Sequence, residues 1–448
     1  MRLKRIQFRL LTIYVLIVAI SCISCNLKQG TVVNSKWPES NTQPARPRVI
    51  VTTDIGGTDP DDFQSMIHYL MYADRFQTEG LVSSPFGGGT ARKTHILQML
   101  DLYEKDYPKL KAQSHLFPAP DQLRSVTKQG AIGKTNRKGW SLPSEGSDWI
   151  IKCARKKSEQ PLWVLAWGGL EEVAQALHDA PDISNKIRVF WIGGPNKKWG
   201  VQAYNYIVSN FPDLWMIESN GTYRGWTIDG EAKSGFDNKT FYEKYIRSGG
   251  AMGADFINYY KGMIKMGDSP SVGYLLFGNP DDPASDSWGG SYIPLQYSAR
   301  RILDRETTLN DEVPVFGIME LELRGADRGA AIDTPVIWLE IDKQKIEGFY
   351  EGNGLYRIRF VPKEAKKWSY KIISDVPELN GKTGQFTSTD PWPGVQHKDN
   401  IGPLKGWWSD RTTREDYLGN HQGGYTIYRW RKTYLEDWAK RWLWLSSK

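Results

Sequence analysis

The chain has 448 residues, of which 40% are hydrophobic and 24% are charged, and its formal net charge is +7. The length favours two domains, and the composition is that of a globular protein, which excludes the disordered and fibrous classes. Part of the positive charge lies in the first nine residues, and the other basic residues are mixed with acids. The sequence therefore has no basic stripe of the kind that binds nucleic acid, and no nucleic-acid partner is expected.

The first 25 residues are predicted to be an export signal. A basic start precedes the apolar run LLTIYVLIVAI, which is too short to remain as a membrane-spanning helix, and SCISCN follows. Small residues before a cysteine resemble a bacterial lipoprotein cleavage site, so lipidation is expected at Cys22 or Cys25, with a plain signal peptide as the alternative. Residues 26–45 are expected to be a polar linker. These features predict a cell-envelope lipoprotein (periplasm or outer membrane), attached to the membrane by its lipid anchor only.

Strands and helices are predicted to alternate over residues 46–304. Apolar runs predict strands at 48–53, 78–84, 161–169, 187–194 and 214–220, and helical patterns follow several of them. Strand-helix alternation predicts an α/β fold, a mostly parallel sheet with flanking helices. Ligands bind at the carboxyl ends of strands in such sheets, and Asp54 follows the first strand directly.

The pattern changes twice after residue 304. Short alternating segments separated by Gly, Pro, Asn and Asp predict a small all-β sandwich over residues 305–392. Aromatic residues at a spacing of four then predict an amphipathic helix near the carboxyl end, at Tyr434, Trp438 and Trp442. This helix is either a separate tail or the last helix of the first domain; in the second case residues 403–448 close that domain and the sandwich is an insertion.

Four carboxylates lie close together after the first strand, at Asp54, Asp59, Asp61 and Asp62. So many like charges repel one another unless a cation lies among them, and calcium prefers six to eight oxygen ligands. Asp61 and Asp62 would begin a helix, where the helix dipole also favours anions. A capping loop with solvated acids is the alternative.

The stretch VIVTTDIGGTDPDDFQSM resembles the N-terminal motif of nucleoside hydrolases, and more closely the nucleoside-hydrolase-like domain of a bacterial family described as cellulose-binding. The resemblance implies a calcium site formed by Asp54, Asp61 and Asp62. The segment VLAWGGLEEVAQAL resembles the part of the family that adds a backbone carbonyl to this site, here that of Trp167.

Two further segments extend this resemblance. FGNPDDPASDSWGG resembles the loop that supplies a fourth metal carboxylate, which implies Asp282, with Asp281 and Asp286 as alternatives. WIGGPNKKWGVQAYNYIVSNFPD resembles the segment that contacts the sugar, which implies Asn205 and its neighbour Tyr204; a loop-turning role is the alternative for Asn205.

Other positions depart from the family pattern. The place of an aspartate two residues before Asp54 is taken by Thr52, and the acid of the sugar-contacting segment is replaced by Ala203. Ordinary ribonucleosides are therefore not the expected substrates. Trp288, in a glycine-rich loop, is a candidate for stacking on a sugar ring, with core packing as the alternative.

The segment from Gly348 to Thr389 is similar to a β-sandwich module found at the N-termini of bacterial glycoside hydrolases. YTIYRWRKTYLEDWAKRW resembles the closing helix of the cellulose-binding family, which supports the insertion of the sandwich. Three functions remain open at this stage. The first is a calcium-dependent hydrolase of a glycosidic bond in a saccharide, with Asp54 as catalytic base. The second is a non-catalytic carbohydrate-binding lipoprotein with a metal-stabilised domain, and the third is a structural interaction protein. The oligomeric state is not predicted.

Overall fold

The computed structural model describes residues 46–85, 92–133, 136–232, 234–327, 329 and 331–446. The predicted signal, the linker, Cys22 and Cys25 lie outside these residues, so their assignment stays a prediction. Within the described ranges, none of the helices combines the length and the apolar character that crossing a membrane requires.

The first sheet has eight strands in the order β3-β2-β1-β4-β5-β6-β16-β7. Their bounds are β1 (Arg48–Thr53), β2 (Gln77–Ser83), β3 (Thr127–Lys128), β4 (Leu162–Trp167), β5 (Ile187–Ile192), β6 (Trp215–Ser219), β7 (Tyr292–Pro294) and β16 (Trp407–Asp410). In this described sheet all neighbours pair in parallel except β16 with β7. The α/β fold predicted from the sequence is confirmed.

Helices cover both faces of the first sheet. They are α1 (Asp61–Met71), α2 (Lys93–Gln113), α3 (Pro120–Ser125), α4 (Glu145–Ala154), α5 (Glu171–Asp179), α6 (Pro195–Trp199), α7 (Val201–Asn210), α8 (Asn238–Phe241), α9 (Gly250–Phe256), α10 (Ser269–Leu276), α11 (Tyr425–Tyr428) and α12 (Arg431–Leu445). Val49 and Val51 of β1 belong to the hydrophobic cluster on one face, and Ile50 belongs to the cluster on the other. This two-sided burial explains why β1 is a continuous apolar run rather than an alternating one.

The second sheet also has eight strands, in the order β8-β10-β13-β12-β11-β14-β15-β9. Their bounds are β8 (Arg300–Leu303), β9 (Glu312–Pro314), β10 (Ile318–Arg324), β11 (Pro335–Ile341), β12 (Gln344–Gly352), β13 (Leu355–Phe360), β14 (Lys367–Ser374) and β15 (Thr383–Thr389). Tyr356, Ile358 and Phe360 lie in its core, whereas Arg357 and Arg359 form ion pairs with acids of β10. This sheet begins at Arg300, five residues before the predicted boundary, because β8 pairs with β10 through contacts that leave no local sequence signal.

The end of the chain returns to the first sheet. Strand β16 lies between β6 and β7, and Trp438 and Trp442 of α12 are fully buried in the core shared with β1. The second sheet is therefore formed by a segment that interrupts the first.

Candidate metal centre

Four aspartates from three segments meet at the carboxyl edge of the first sheet; we call them the acidic cluster. Asp54 follows β1, Asp61 and Asp62 begin α1, and Asp268 directly precedes α10. Carboxylate oxygens of Asp61, Asp62 and Asp268 all lie within 4.8 Å of one another. The Asp54 carboxyl makes a hydrogen bond with that of Asp62. The structure thus brings together the three aspartates expected from the motif and adds a fourth.

Two glycines make room for these carboxylates. Gly168 has a φ of +114°, and a Cβ atom there would lie 2.6 Å from Cγ of Asp54. A Cβ atom at Gly267 would lie 2.3 Å from Oδ2 of Asp61. A side chain at either position would displace a carboxylate of the cluster, so the backbone around the cluster depends on glycine at both positions.

Asp268 is held through its backbone while part of its carboxylate stays without a partner. Its N–H donates to Oγ of Ser65 at 3.3 Å, and its carbonyl accepts from Oγ of Ser271 at 2.7 Å. Ser271 is in turn fixed by the indole N–H of Trp167, at 2.7 Å. Oδ2 of Asp268 is buried and has no hydrogen-bond partner among the described residues. An unpartnered buried carboxylate oxygen is costly unless a cation or a proton satisfies it.

Burial dominates the electrostatics of the cluster. It raises the pKa of Asp54, Asp61 and Asp268 well above the usual range, and the neighbouring carboxylates raise these pKa values further. Burial also raises the pKa of Asp62 to about 6, although hydrogen bonds from Thr53 and Asp54 act in the opposite direction. The Lys265 ammonium lowers the pKa of Asp61 but is itself paired with the exposed Asp59, at 3.1 Å.

These residues fit a hard divalent cation. Carboxylate oxygens are the donors that calcium prefers, several converge here within a few ångströms, and one of them is buried without a partner. The carbonyl of Trp167, at the end of β4, accepts the N–H of Asp54 at 2.9 Å and therefore lies beside the cluster. Its role as a metal ligand stays a prediction.

The prediction that Asp282 supplies the fourth carboxylate is wrong. Asp282 is exposed, and its Oδ1 accepts the N–H of Ala284 at 3.1 Å. The neighbouring Asp281 forms an ion pair with Arg188, the second residue of β5, which places this loop at the amino edge of the sheet. The carboxyl edge, where the acidic cluster lies, is the opposite one.

Asp268 occupies the place that was assigned to Asp282. The other alternative, Asp286, is paired with Arg429 on the surface. The sequence did carry a signal for Asp268, because GDSPSVGYLL places an acid directly before a helix that has proline in its first turn. Proline in the first turn and an acid beside it are both typical of a helix amino end.

The prediction that Tyr204 contacts substrate is also wrong. Its side chain is fully buried, and its hydroxyl donates to Oε2 of Glu218 at 2.8 Å. Glu218 also pairs with the buried Lys197 at 2.6 Å, so Tyr204 belongs to a polar network inside the core. Asn205 is half-buried on α7, and its Oδ1 is buried with no hydrogen-bond partner among the described residues. Its contact with a sugar stays a prediction.

Trp288 is buried rather than available for stacking on a sugar. It is 6% exposed and stacks on Phe277 with ring centroids 5.2 Å apart. Its carbonyl accepts the indole N–H of Trp226 at 3.0 Å. The core-packing alternative therefore holds, because the glycine-rich loop folds inward against aromatic side chains.

A cleft of about 590 Å³, which sequence reasoning missed, opens near the acidic cluster. Its lining comes from the turns after β5 and β6, from three segments that follow strands of the second sheet (315–316, 363–365 and Asp390), and from the turn before α11. Asp410, at the end of β16, holds one wall by accepting the N–H groups of Asn220, Gly221 and Thr222 at 3.2, 2.8 and 3.1 Å. Burial raises the pKa of Asp410 to about 7 against the effect of these hydrogen bonds. No local sequence pattern could have shown a cleft assembled from segments so far apart.

Several solved structures are similar to this chain. A nucleoside hydrolase-related protein from Saccharophagus degradans that is associated with carbohydrate metabolism has 18% identity, covers 77% of this chain and 99% of its own, and gives a TM-score of 0.49. An inosine-uridine preferring nucleoside hydrolase from Bacillus anthracis has 14% identity, covers 57% of this chain and 86% of its own, and gives a TM-score of 0.37. A purine-preferring ribonucleoside hydrolase from Gardnerella vaginalis has 12% identity, covers 56% of this chain and 84% of its own, and gives a TM-score of 0.38. Among curated proteins there is no significant match.

Two protein families match the chain by their sequence models. Residues 312–375, within the second sheet, match a domain of unknown function, DUF5060. Residues 48–292 match the family described as "Cellulose-binding Sde182, nucleoside hydrolase-like domain", and they carry β1 to β6 and the whole acidic cluster. Since this match spans more than half of the chain, the protein belongs to the cellulose-binding Sde182 family with a nucleoside hydrolase-like domain.

Proposed function

We propose that this chain is a calcium-dependent hydrolase that cleaves a glycosidic bond of a saccharide at the cell envelope. One observation carries the proposal: four buried or half-buried aspartates converge at a sheet edge, and one buried oxygen has no partner among the described residues. The family description supports a carbohydrate ligand. The envelope location rests on the predicted lipidation at Cys22 or Cys25.

The reaction would use the acidic cluster in two ways. Cleavage of a glycosidic bond passes through an oxocarbenium-like transition state. A bound calcium ion would supply the positive charge that orients sugar hydroxyls and makes water more acidic. Asp61, Asp62 and Asp268 would hold this ion, together with Asp54 and the Trp167 carbonyl. Asp54, fixed beside Gly168, would accept the proton of the attacking water as general base.

Turnover of the purified full chain tests this proposal. We would measure hydrolysis of a panel of polysaccharides, aryl glycosides and nucleosides, with calcium and with excess chelator. We expect turnover of a saccharide that chelation abolishes, and that Asp54→Asn lowers by at least about 100-fold, the usual contribution of a general base. Asp282→Asn is the matched control and should retain activity. Turnover that survives both chelation and Asp54→Asn would refute the mechanism.

The second candidate is a non-catalytic carbohydrate-binding lipoprotein with a metal-stabilised domain. The family description, which names cellulose binding, favours this alternative. The two proposals differ in the behaviour of Asp54→Asn. A binding protein would show no turnover as wild type, and the variant would retain the same glycan to a nearly unchanged extent.

A further inference from the structure

We infer that the cleft binds a neutral oligosaccharide that extends from the acidic cluster, and that the second sheet forms one of its walls. This inference rests on the proposed function and adds a substrate class to it. The second sheet would then be a part of the binding site rather than an independent module.

The walls of the cleft come from both sheets. Tyr223 and Arg224 follow β6 of the first sheet, whereas Phe316 and Lys363 belong to loops of the second. His421, from the turn before α11, lines the cleft as well. Neither sheet alone lines the whole cleft, so a ligand that fills it contacts residues of both.

Tyr223 connects the cleft to the acidic cluster. A Cβ atom at Gly267 would lie 3.7 Å from Cδ2 of Tyr223 and 2.3 Å from Oδ2 of Asp61, so the ring and the carboxylate flank the same small residue. Burial raises the pKa of Tyr223, and the charges of Asp61 and Asp268 raise it further. A ligand with one end at the acidic cluster therefore has its next part beside Tyr223, which also lines the cleft.

The floor of the cleft is aromatic and its rim is polar. Tyr223 and Phe316 are 6% and 9% exposed, whereas Arg224 and His421 are half-exposed and Asn420 is exposed. Phe316 has a φ of +59°, a left-handed conformation that is rare for a bulky residue, and its N–H donates to the carbonyl of Pro362 at 2.7 Å. Strained backbone of this kind concentrates at functional sites. An apolar floor with a few polar groups at the rim is the usual composition of a small-molecule site, and polar rim groups can exchange hydrogen bonds with the hydroxyl groups of a sugar.

The charges of the rim balance. Arg224 and Lys363 are the cations, and Glu364 and Asp390 are the acids, so the formal charge of the cleft is zero. Lys363 lies 3.8 Å from Glu364, and Asp390 lies 3.5 Å from Arg414. Burial and the nearby Arg224 lower the pKa of His421, so this imidazole is neutral at pH 7. A neutral ligand that offers many hydroxyl groups suits this lining better than a polyanion.

Titration calorimetry of the full chain tests the inference. We would use the Asp54→Asn background with calcium present, so that bound saccharide is not consumed. The probes are glucose and cello-oligosaccharides of two to six units, the corresponding xylo- and manno-oligosaccharides, and oligogalacturonate as the anionic series. We expect affinity for one neutral series to rise with chain length beyond the second unit.

Two variants should reduce the dependence of affinity on the length of the oligosaccharide. Arg224→Ala changes the cleft on the side of the first sheet, and Lys363→Ala changes it on the side of the second. Each variant should lower the affinity for the hexasaccharide at least fivefold while changing the affinity for the disaccharide less than twofold. The controls Arg247→Ala and Lys345→Ala replace cations outside the cleft lining and should change neither. Thermal melting would verify that all four variants fold.

Three results would overturn the inference: an affinity independent of chain length, hexasaccharide binding unchanged in both cleft variants, or a preference for oligogalacturonate. If the wild type hydrolyses a short glycoside while no oligosaccharide series shows the length dependence, the cleft inference fails and the proposed function stands. If no saccharide is either bound or hydrolysed, both fail.

Discussion

A buried carboxylate without a partner is a source of instability that a bound cation removes. Oδ2 of Asp268 has no hydrogen-bond partner among the described residues, and carboxylate oxygens of Asp61 and Asp62 lie within 4.8 Å of an oxygen of the same Asp268 carboxylate. The metal-free cluster is therefore less stable than the same cluster around a divalent ion, and the free energy of unfolding should depend on calcium.

Substitutions of Asp268 and of Asp282 are expected to have different effects on the calcium dependence of stability. At a calcium concentration 100 times the dissociation constant, a ligand that binds only the folded state adds about 2.7 kcal/mol. We expect Asp268→Ala to lose most of this gain, because it removes one of the converging carboxylates, and Asp282→Ala to retain it. Melting temperatures with calcium and with chelator provide the measurement. Loss of the calcium effect in Asp282→Ala, with its retention in Asp268→Ala, would contradict the site described here.

The sequence predicts the local part of the acidic cluster better than its distant part. Asp54, Asp61 and Asp62 lie within nine residues, so a strand end and a helix start were enough to place them together. Asp268 comes from a segment 206 residues further along, and only the packing of α10 against α1 brings it near. The predictions that Tyr204 and Trp288 contact sugar were wrong for another reason. The sequence does not show whether an aromatic side chain faces a cleft or the core.

At the scale of elements, α1 and α12 pack around a buried histidine. His68 of α1 lies 5.1 Å from the ring of Trp226 and 5.4 Å from that of Trp438. Burial, with a smaller effect of Arg441, lowers the pKa of His68 to about 3. The folded protein therefore keeps this imidazole neutral, whereas the unfolded chain protonates it near its usual pKa of about 6.5.

This difference predicts acid sensitivity with a defined sign. Between pH 6.5 and pH 3 the unfolded state binds a proton that the folded state does not, so stability falls as the pH falls. The contribution of His68 between pH 6.5 and pH 5 is about 2 kcal/mol. In His68→Phe this contribution should disappear. Urea unfolding at pH 6.5 and at pH 5 should therefore show a smaller decrease in the free energy of unfolding between the two pH values than in wild type. An equal loss in the two proteins would show that His68 is already protonated in the folded state.

Sequence periodicity identified the elements but not their partners. The alternation in LYRIRF agrees with the burial of Tyr356, Ile358 and Phe360 in the core on one face of β13. The aromatic spacing of α12 likewise marked its buried face. Strand β8 was missed because it is four residues long and three of them are only half-buried, so its pairing with β10 decides its conformation.

At the scale of the whole molecule, the end of the chain supports the site. Strand β16 enters the first sheet beside β6, and Asp410 at its end accepts three backbone N–H groups of residues 220–222. These residues lead directly to Tyr223 and Arg224 in the cleft. The two sheets are also joined by polar contacts, such as the ion pair of Arg137 with Glu351 at 2.7 Å.

Replacing Asp410 should therefore affect both stability and the cleft. Asp410→Ala leaves three buried N–H groups without their acceptor, and we expect the free energy of unfolding to fall by about 3 kcal/mol. The control Asp304→Ala changes an exposed acid and should stay within about 0.5 kcal/mol of wild type. Urea unfolding at pH 8 would measure both. A loss below about 1 kcal/mol in Asp410→Ala would mean that the turn after β6 does not depend on the closing segment.

The position of a bound cation tests the central claim most directly. We would determine a crystal structure of the chain grown with calcium and locate the ion by its anomalous signal. The account predicts one ion at the carboxyl edge of the first sheet, with oxygens of Asp54, Asp61, Asp62 and Asp268 at 2.3–2.6 Å, the usual range for calcium. An ion bound elsewhere, or an acidic cluster that stays metal-free at millimolar calcium, would contradict it.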